Sequence, residues 1–163
     1  MESRDSLMLI EDFLNQKKIA IVGVTETKTA PGCLVYDKMK SHGYQVYGVN
    51  PKYSTIKGDK CYASLAEIPD SVDAVFIATK PEVSEKIIHE CINLGISRVW
   101  MHNMTGTKPS RWGDSTSVSA EGVELARKAG LSVIAGSCPM QFIEPDIFHR
   151  CLKFVTKVTG GLP

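Results

Sequence analysis

The chain has 163 residues, a formal net charge of +1, 43% hydrophobic residues and 23% charged residues. That length suits one domain with a sizeable core, and the near-neutral balance argues against a nucleic-acid surface, which needs clustered basic charge. Five cysteines with no CxxC pair argue against a disulfide framework or a metal site, and no leader segment or apolar run near the roughly 18 residues of a membrane helix is apparent, so a reducing cytoplasm away from the membrane is the expected setting.

Residues Asp5 to Gln16 carry Leu7, Ile10, Phe13 and Leu14 at helical spacing, which predicts a lead-in helix. The run Lys18 to Gly23 is apolar and β-branched and reads as the first strand. A polar loop comes next, and Ala30-Pro31-Gly32 then opens a second helix through Val35 and Met39. Proline suits the first helical position, where its missing N–H removes no hydrogen bond.

From there one pattern repeats. That helix ends at Ser41-His42-Gly43, and Tyr44 to Val49 is a strand. After a turn-rich stretch with a short helix at Leu65 to Ile68, Asp73 to Ala78 is the third strand. Pro81 to Leu94 is a helix ending at Gly95, and Ser97 to Met101 the fourth strand. Ser119 to Ala129 is a helix ending at Gly130, and Leu131 to Ala135 the fifth strand. Glycine just past a helix end accommodates the left-handed cap. Strands alternating with helices predict a single α/β domain with a doubly wound, mainly parallel five-stranded sheet. The polar segment Met104 to Ser117 breaks the rhythm and is expected to be a surface loop. The stripe Ile147, Phe148, Cys151, Leu152 and Val155 predicts a closing helix, with a frayed tail from Thr159.

In such a sheet, ligands bind beyond the carboxyl ends of the strands. The residues just past the first strand are Gly23, Val24, Thr25, Thr27 and Lys28. Asn50, Pro51, Lys52 and Tyr53 come after the second, and Ala78, Thr79, Lys80 and Pro81 after the third. His102 and Asn103 come after the fourth, and Cys138 after the fifth. Lysines, hydroxyls and backbone amides with Glu26 as the only acid suit a phosphorylated ligand. For each lysine the alternative is a solvated turn. Cys33, Cys91 and Cys151 fall near helical core faces, whereas Cys138 sits at the ligand-bearing edge, where a structural role and thiol chemistry are the two readings. A dinucleotide enzyme is disfavoured: G-x-G-x-x-G is absent, and Asn50-Pro51-Lys52 stands where an acid would hold a ribose hydroxyl.

The series Val22-Gly23-Val24-Thr25, Val49-Asn50-Pro51-Lys52-Tyr53, Gly58-Asp59-Lys60-Cys61-Tyr62-Ala63-Ser64-Leu65, Lys80-Pro81-Glu82 and Ser137-Cys138-Pro139 resembles the small stand-alone CoA-binding proteins. These share the Rossmann-like domain of the succinyl-CoA synthetase alpha subunit. The resemblance implies CoA, or an acyl-CoA, across the first three βα loops. It implies the pyrophosphate at Gly23 to Lys28, the adenosine and its 3′-phosphate at Asn50 and Lys52, and a wall at Ala78 to Pro81. The chain departs from the family in its first loop, where Thr25 and Lys28 stand for a serine and an arginine. The resemblance also implies binding without catalysis, because the ligase's phosphorylatable histidine lies in a second domain for which this chain leaves no room. The expectation is therefore a binding module (a sensor, a carrier or a partner-dependent subunit), acting with a protein partner or as a homo-oligomer. The alternative is an enzyme, either an acyl-transfer protein using Cys138 or a nucleotide-linked oxidoreductase. The expected organisation is one CoA-binding domain over 1–163, with a lead-in helix at 1–17, a Rossmann-like core at 18–139 and a C-terminal helix and tail at 140–163.

Overall fold

A computed structural model of the protein describes residues 2–104 and 116–144, together with 150, 151 and 154. The helices are α1 (Glu2–Leu14), α2 (Pro31–Ser41), α3 (Pro81–Leu94) and α4 (Ala120–Lys128). The strands are β1 (Lys18–Val22), β2 (Gln45–Val49), β3 (Thr55–Ile56), β4 (Asp59–Tyr62), β5 (Ala74–Ile77), β6 (Arg98–Met101) and β7 (Ser132–Ala135). They form one sheet in the order β3-β4-β2-β1-β5-β6-β7, parallel throughout except where β3 pairs antiparallel with β4. No helix among the described residues is long and apolar enough to cross a membrane.

The expected five-stranded sheet is therefore a seven-stranded one. The two additional strands come from the turn-rich stretch after β2, where Lys57 (φ 51°) and Gly58 (φ 84°) turn a hairpin between β3 and β4. Strand β4 then lies parallel to β2 through Gly48–Cys61 and Val49–Tyr62. The hairpin is clasped onto α2. Asp59 accepts a hydrogen bond from the Tyr36 hydroxyl (2.7 Å) and forms an ion pair with Lys40, and Lys57 pairs with Asp37.

Alternation along β1 shows why the sheet is covered on both faces. Ala20 and Val22 pack with Val75, Ile77, Val99 and Met101 under Ile88, Cys91 and Ala126 of α3 and α4. Ile19 and Ile21 face the other way, with Phe76, Trp100 and Ile134, under Ile10 and Phe13 of α1 and Val35, Tyr36 and Met39 of α2. Each such large side chain contributes about 1.5–3 kcal/mol when fully buried. Continuous apolar strands of this kind are what a parallel sheet between two helical layers requires. Of the stripe expected to form a closing helix, only Cys151 lies among the described residues, and the centre of the Met104 to Ser117 segment lies outside them.

Candidate functional site

The sheet reverses its direction of winding at β1. From β1 the chain crosses through α2 to β2 on one side, and β5 returns on the other. The carboxyl ends of β1 and β5 thus flank the topological switch point, where doubly wound sheets take ligands. The strand ends are stitched across this edge by backbone bonds. The N–H of Gly23 donates to Val49 O (2.9 Å), that of Ala78 to Val22 O (2.8 Å), and that of His102 to Ile77 O (2.9 Å).

Two glycines set the geometry of the crevice. Gly23 has φ +93°, and a Cβ there would meet the Ala78 carbonyl oxygen at 2.4 Å. A Cβ on Gly32, at the second position of α2, would meet the Gly23 carbonyl oxygen at 2.6 Å and the Val24 nitrogen at 3.2 Å. Three backbones, from the end of β1, the start of α2 and the end of β5, converge here because neither glycine carries a side chain. Residues Gly23 to Ala30 form the loop that joins β1 to α2. Within it the Thr25 hydroxyl accepts the Thr27 N–H (3.3 Å), and the Thr27 carbonyl accepts the Ala30 N–H (3.0 Å).

The two helices that follow β1 and β5 start alike. Proline opens α2 at Pro31 and α3 at Pro81, and neither N-cap side chain, Ala30 or Lys80, bonds the first turn. First-turn N–H groups have no intrahelical partner and carry the positive end of the helix dipole, so they suit an anion. Neither first turn adds much acid: α2 has none, and α3 has Glu82. At α3 the Lys80 carbonyl accepts the Val83 and Ser84 N–H groups, and the Thr79 hydroxyl is bonded to that of Ser84 (3.1 Å). The side chains of Lys28, Lys52 and Lys80 are exposed.

Asn50 ties two of the loops together. Its Nδ2 donates to the Val24 carbonyl (2.7 Å) and its Oδ1 accepts the Lys52 N–H (3.0 Å). Its backbone N–H donates to Tyr62 O, and its carbonyl accepts from Tyr53 N–H. The side chain is spent on holding the β1 and β2 loops in register, which presents Pro51 and Lys52 at the rim.

The residues beyond β6 and β7 lie differently from the rest. His102, Asn103 and Cys138 are closed off, at 2%, 6% and 4% exposure. The His102 ring stands edge-on to Phe76, and the Asn103 N–H donates to Ser137 O (3.2 Å). Cys138 packs in the apolar cluster with Trp100, Ile134 and Phe142, and burial pushes its thiol up to about 11. At 4% exposure Cys138 is closed off from the ligand edge, and a thiol of this kind supplies little thiolate at neutral pH. Among the other cysteines, Cys33 and Cys91 are buried, while Cys151 is exposed rather than in a core face.

Gly32 is the residue that reading along the chain missed. Its only local signal is a glycine inside the first turn of a helix, where it weakens the helix unless something approaches closely.

A doubly wound sheet with a glycine-lined switch point and two anion-ready helix starts defines a nucleotide-binding domain of the Rossmann-like class. The profile described as CoA binding domain matches residues 17–143, and the chain belongs to that family. ADP-forming acetate–CoA ligase II of Archaeoglobus fulgidus is 33% identical over 89 residues, covering 53% of this chain and 13% of that protein. The alpha subunit of ADP-forming acetate–CoA ligase II of Pyrococcus furiosus is 28% identical over 135 residues, covering 80% of this chain and 28% of the subunit. The chain thus spans less than a third of the length of either ligase protein. A solved structure of a hypothetical protein from Pyrococcus horikoshii OT3 matches with a TM-score of 0.71 and 30% identity, over 83% of this chain and 87% of that one.

Proposed function

We propose that the chain is a non-catalytic CoA-binding module and that CoA, free or acylated, lies across the β1–β5 crevice. The observation that carries this reading is the convergence of Gly23, Gly32 and Ala78, with a Cβ on Gly32 falling 2.6 Å from the Gly23 carbonyl. It brings the uncapped start of α2 directly over the end of β1. The pyrophosphate belongs at Gly23 to Lys28 and the first turn of α2, where backbone N–H groups and Lys28 supply donors. Lys52, on the loop beside Asn50, takes the 3′-phosphate, and Ala78 to Pro81 form the wall on the β5 side. The donor set fits a phosphorylated ligand: amides, hydroxyls and lysines, with Asn50 in place of the carboxylate that would hold a free ribose. Family membership and the likeness to the CoA ligases support the choice of CoA among such ligands. The buried Cys138 thiol gives acyl transfer no ready nucleophile. In the cell the module presents CoA to a separate protein partner.

Calorimetric titration with CoA, dephospho-CoA and NAD tests the reading. CoA is expected to bind most tightly, and Lys52→Gln to weaken CoA about 5- to 10-fold, the worth of one charged contact, while leaving dephospho-CoA unchanged. Equal affinity for CoA and dephospho-CoA would remove the role given to Lys52, and preference for NAD would overturn the assignment of the ligand.

A further inference from the structure

The sheet has a gap at the amino end of β2, on the side away from β1. Strand β2 runs from Gln45 to Val49, but β4 pairs with it only at Gly48 and Val49. Among the described residues no strand lies beside Gln45, Val46 and Tyr47 on that side. The Gln45 N–H is turned toward β1, where it donates to Lys17 O (2.9 Å). Alternation along the strand therefore turns the N–H and carbonyl of Val46 the other way, into the gap. The gap is a cavity of about 320 Å³, not a flat edge. It sits at the opposite end of the strands from the β1–β5 crevice.

The two walls of the cavity differ. Lys40, Tyr44 and Asp59 stand on the α2 side of the sheet, and Tyr47, Lys60 and Tyr62 on the other. The Tyr44 hydroxyl donates to Leu14 O (2.6 Å) and that of Tyr47 to Asp70 (2.6 Å), so both residues offer the cavity their rings. Asp59 and Lys40 neutralise each other as an ion pair. The exposed Lys60, with its ammonium 4.9 Å from the centre of the Tyr62 ring, leaves the cavity net positive.

An open strand edge takes an extended peptide through main-chain hydrogen bonds, and the peptide's side chains alternate between the two faces of the sheet. A segment laid end to end with β4 would bond the N–H and carbonyl of Val46. One of its side chains would meet Lys60 and the next would meet the Tyr44 ring. A carboxylate complements the first and an apolar side chain the second. We infer that the gap beside Val46 is a docking slot for an extended segment of a partner protein in which acidic and apolar residues alternate. A partner held there leaves the crevice open, and the inference does not depend on which ligand the crevice takes. The competing role for Lys60 is that of a guard, since lysine on an exposed edge also keeps strands of separate copies from pairing.

The test uses three synthetic hexapeptides, each titrated into the full chain and followed by amide NMR. The first alternates glutamate with valine, the second alternates lysine with valine, and the third is the first with every backbone nitrogen methylated, which removes its donors. The acidic peptide should shift the amides of Val46, Tyr47 and Lys60 and leave those of Gly23 to Lys28 unmoved. The lysine peptide and the methylated peptide should do neither. Lys60→Gln should weaken the acidic peptide about 3- to 5-fold, the worth of one exposed ion pair, and keep its Tm because the side chain is exposed. An acidic peptide that leaves Val46 unshifted at millimolar concentration overturns the slot. Equal shifts from the lysine peptide overturn the acidic partner, and equal shifts from the methylated peptide overturn strand addition. A Lys60→Gln variant that binds the acidic peptide as the wild type does, and self-associates in sedimentation, assigns Lys60 to the guard role and overturns the inference.

Discussion

Replacing Gly32 with alanine places a methyl group against backbone, and backbone cannot swing aside. The new carbon would lie 2.6 Å from the Gly23 carbonyl oxygen, and ordinary contact begins at 3.4 Å, so α2 must retreat by about 0.8 Å. Overpacking of this kind costs about 1–3 kcal/mol, which for a domain of this size lowers Tm by about 2–4 °C per kcal/mol. The larger consequence is for the site. Withdrawing the helix start from the end of β1 weakens the charge–dipole and N–H contacts to a bound phosphate, worth up to ~2 kcal/mol, or about 30-fold in affinity. Gly43→Ala is the control. Gly43 has φ +82° and no described atom within 4 Å of its Cβ position, at the far end of the same helix. That substitution costs a comparable ~1–2 kcal/mol through backbone strain, without touching the crevice. Thermal melts and CoA titrations of both variants separate the two effects. Both should melt lower, and only Gly32→Ala should lose CoA affinity by about tenfold or more. Wild-type affinity in Gly32→Ala, or an equal loss in Gly43→Ala, would refute the role given to the glycine contact.

Asn50→Asp keeps the acceptor for the Lys52 N–H but loses the donor to the Val24 carbonyl; a destabilisation of about 1–3 kcal/mol in urea melts is expected, with weaker CoA binding. The Lys40 ammonium, and after it the Tyr36 hydroxyl, hold the Asp59 carboxyl below the usual carboxylate range. A depressed folded-state value means stability present above the unfolded-state carboxylate pKa and lost as pH falls through the folded one; Asp59→Asn should flatten that acid limb and cost about 1 kcal/mol at neutral pH, because the pair is well exposed. In timed thiol labelling at neutral pH, the exposed Cys151 should react first, and Cys138 and Cys91, which burial pushes up to about 11 and about 12, only on unfolding; labelling of Cys138 as fast as Cys151 would contradict its placement.

Much of this fold can be read along the chain because its signals are local. The apolar stripe and flanking Pro81 and Gly95 bound α3 as observed, Pro31 opens α2, and Ser119 caps α4 by accepting the Gly122 N–H. The β3–β4 hairpin escaped because its strands are short and its turn is Lys57-Gly58, not the Asn-Gly or Asp-Gly that announces a hairpin. The strand-end rule finds the edge of the sheet, and therefore Gly23, Asn50, Lys52 and Ala78. It does not say which of those residues touch. The contact of Gly32 with Gly23 and the bond from Asn50 to Val24 depend on how α2 and β2 cross β1. Likewise the position of Cys138 after the last strand is legible, but its burial depends on Trp100, Ile134 and Phe142 closing over it.

The central claim is that CoA lies over the β1–β5 crevice, and the most direct measurement of it is amide NMR of the protein titrated with CoA. The account predicts that the shifts concentrate at Gly23 to Lys28, at Gly32 and Cys33, at Lys52, and from Ala78 to Glu82. Shifts centred on the opposite edge of the sheet, around Lys17, Lys18 and Asp73, or an unperturbed first turn of α2 at saturating CoA, would contradict it.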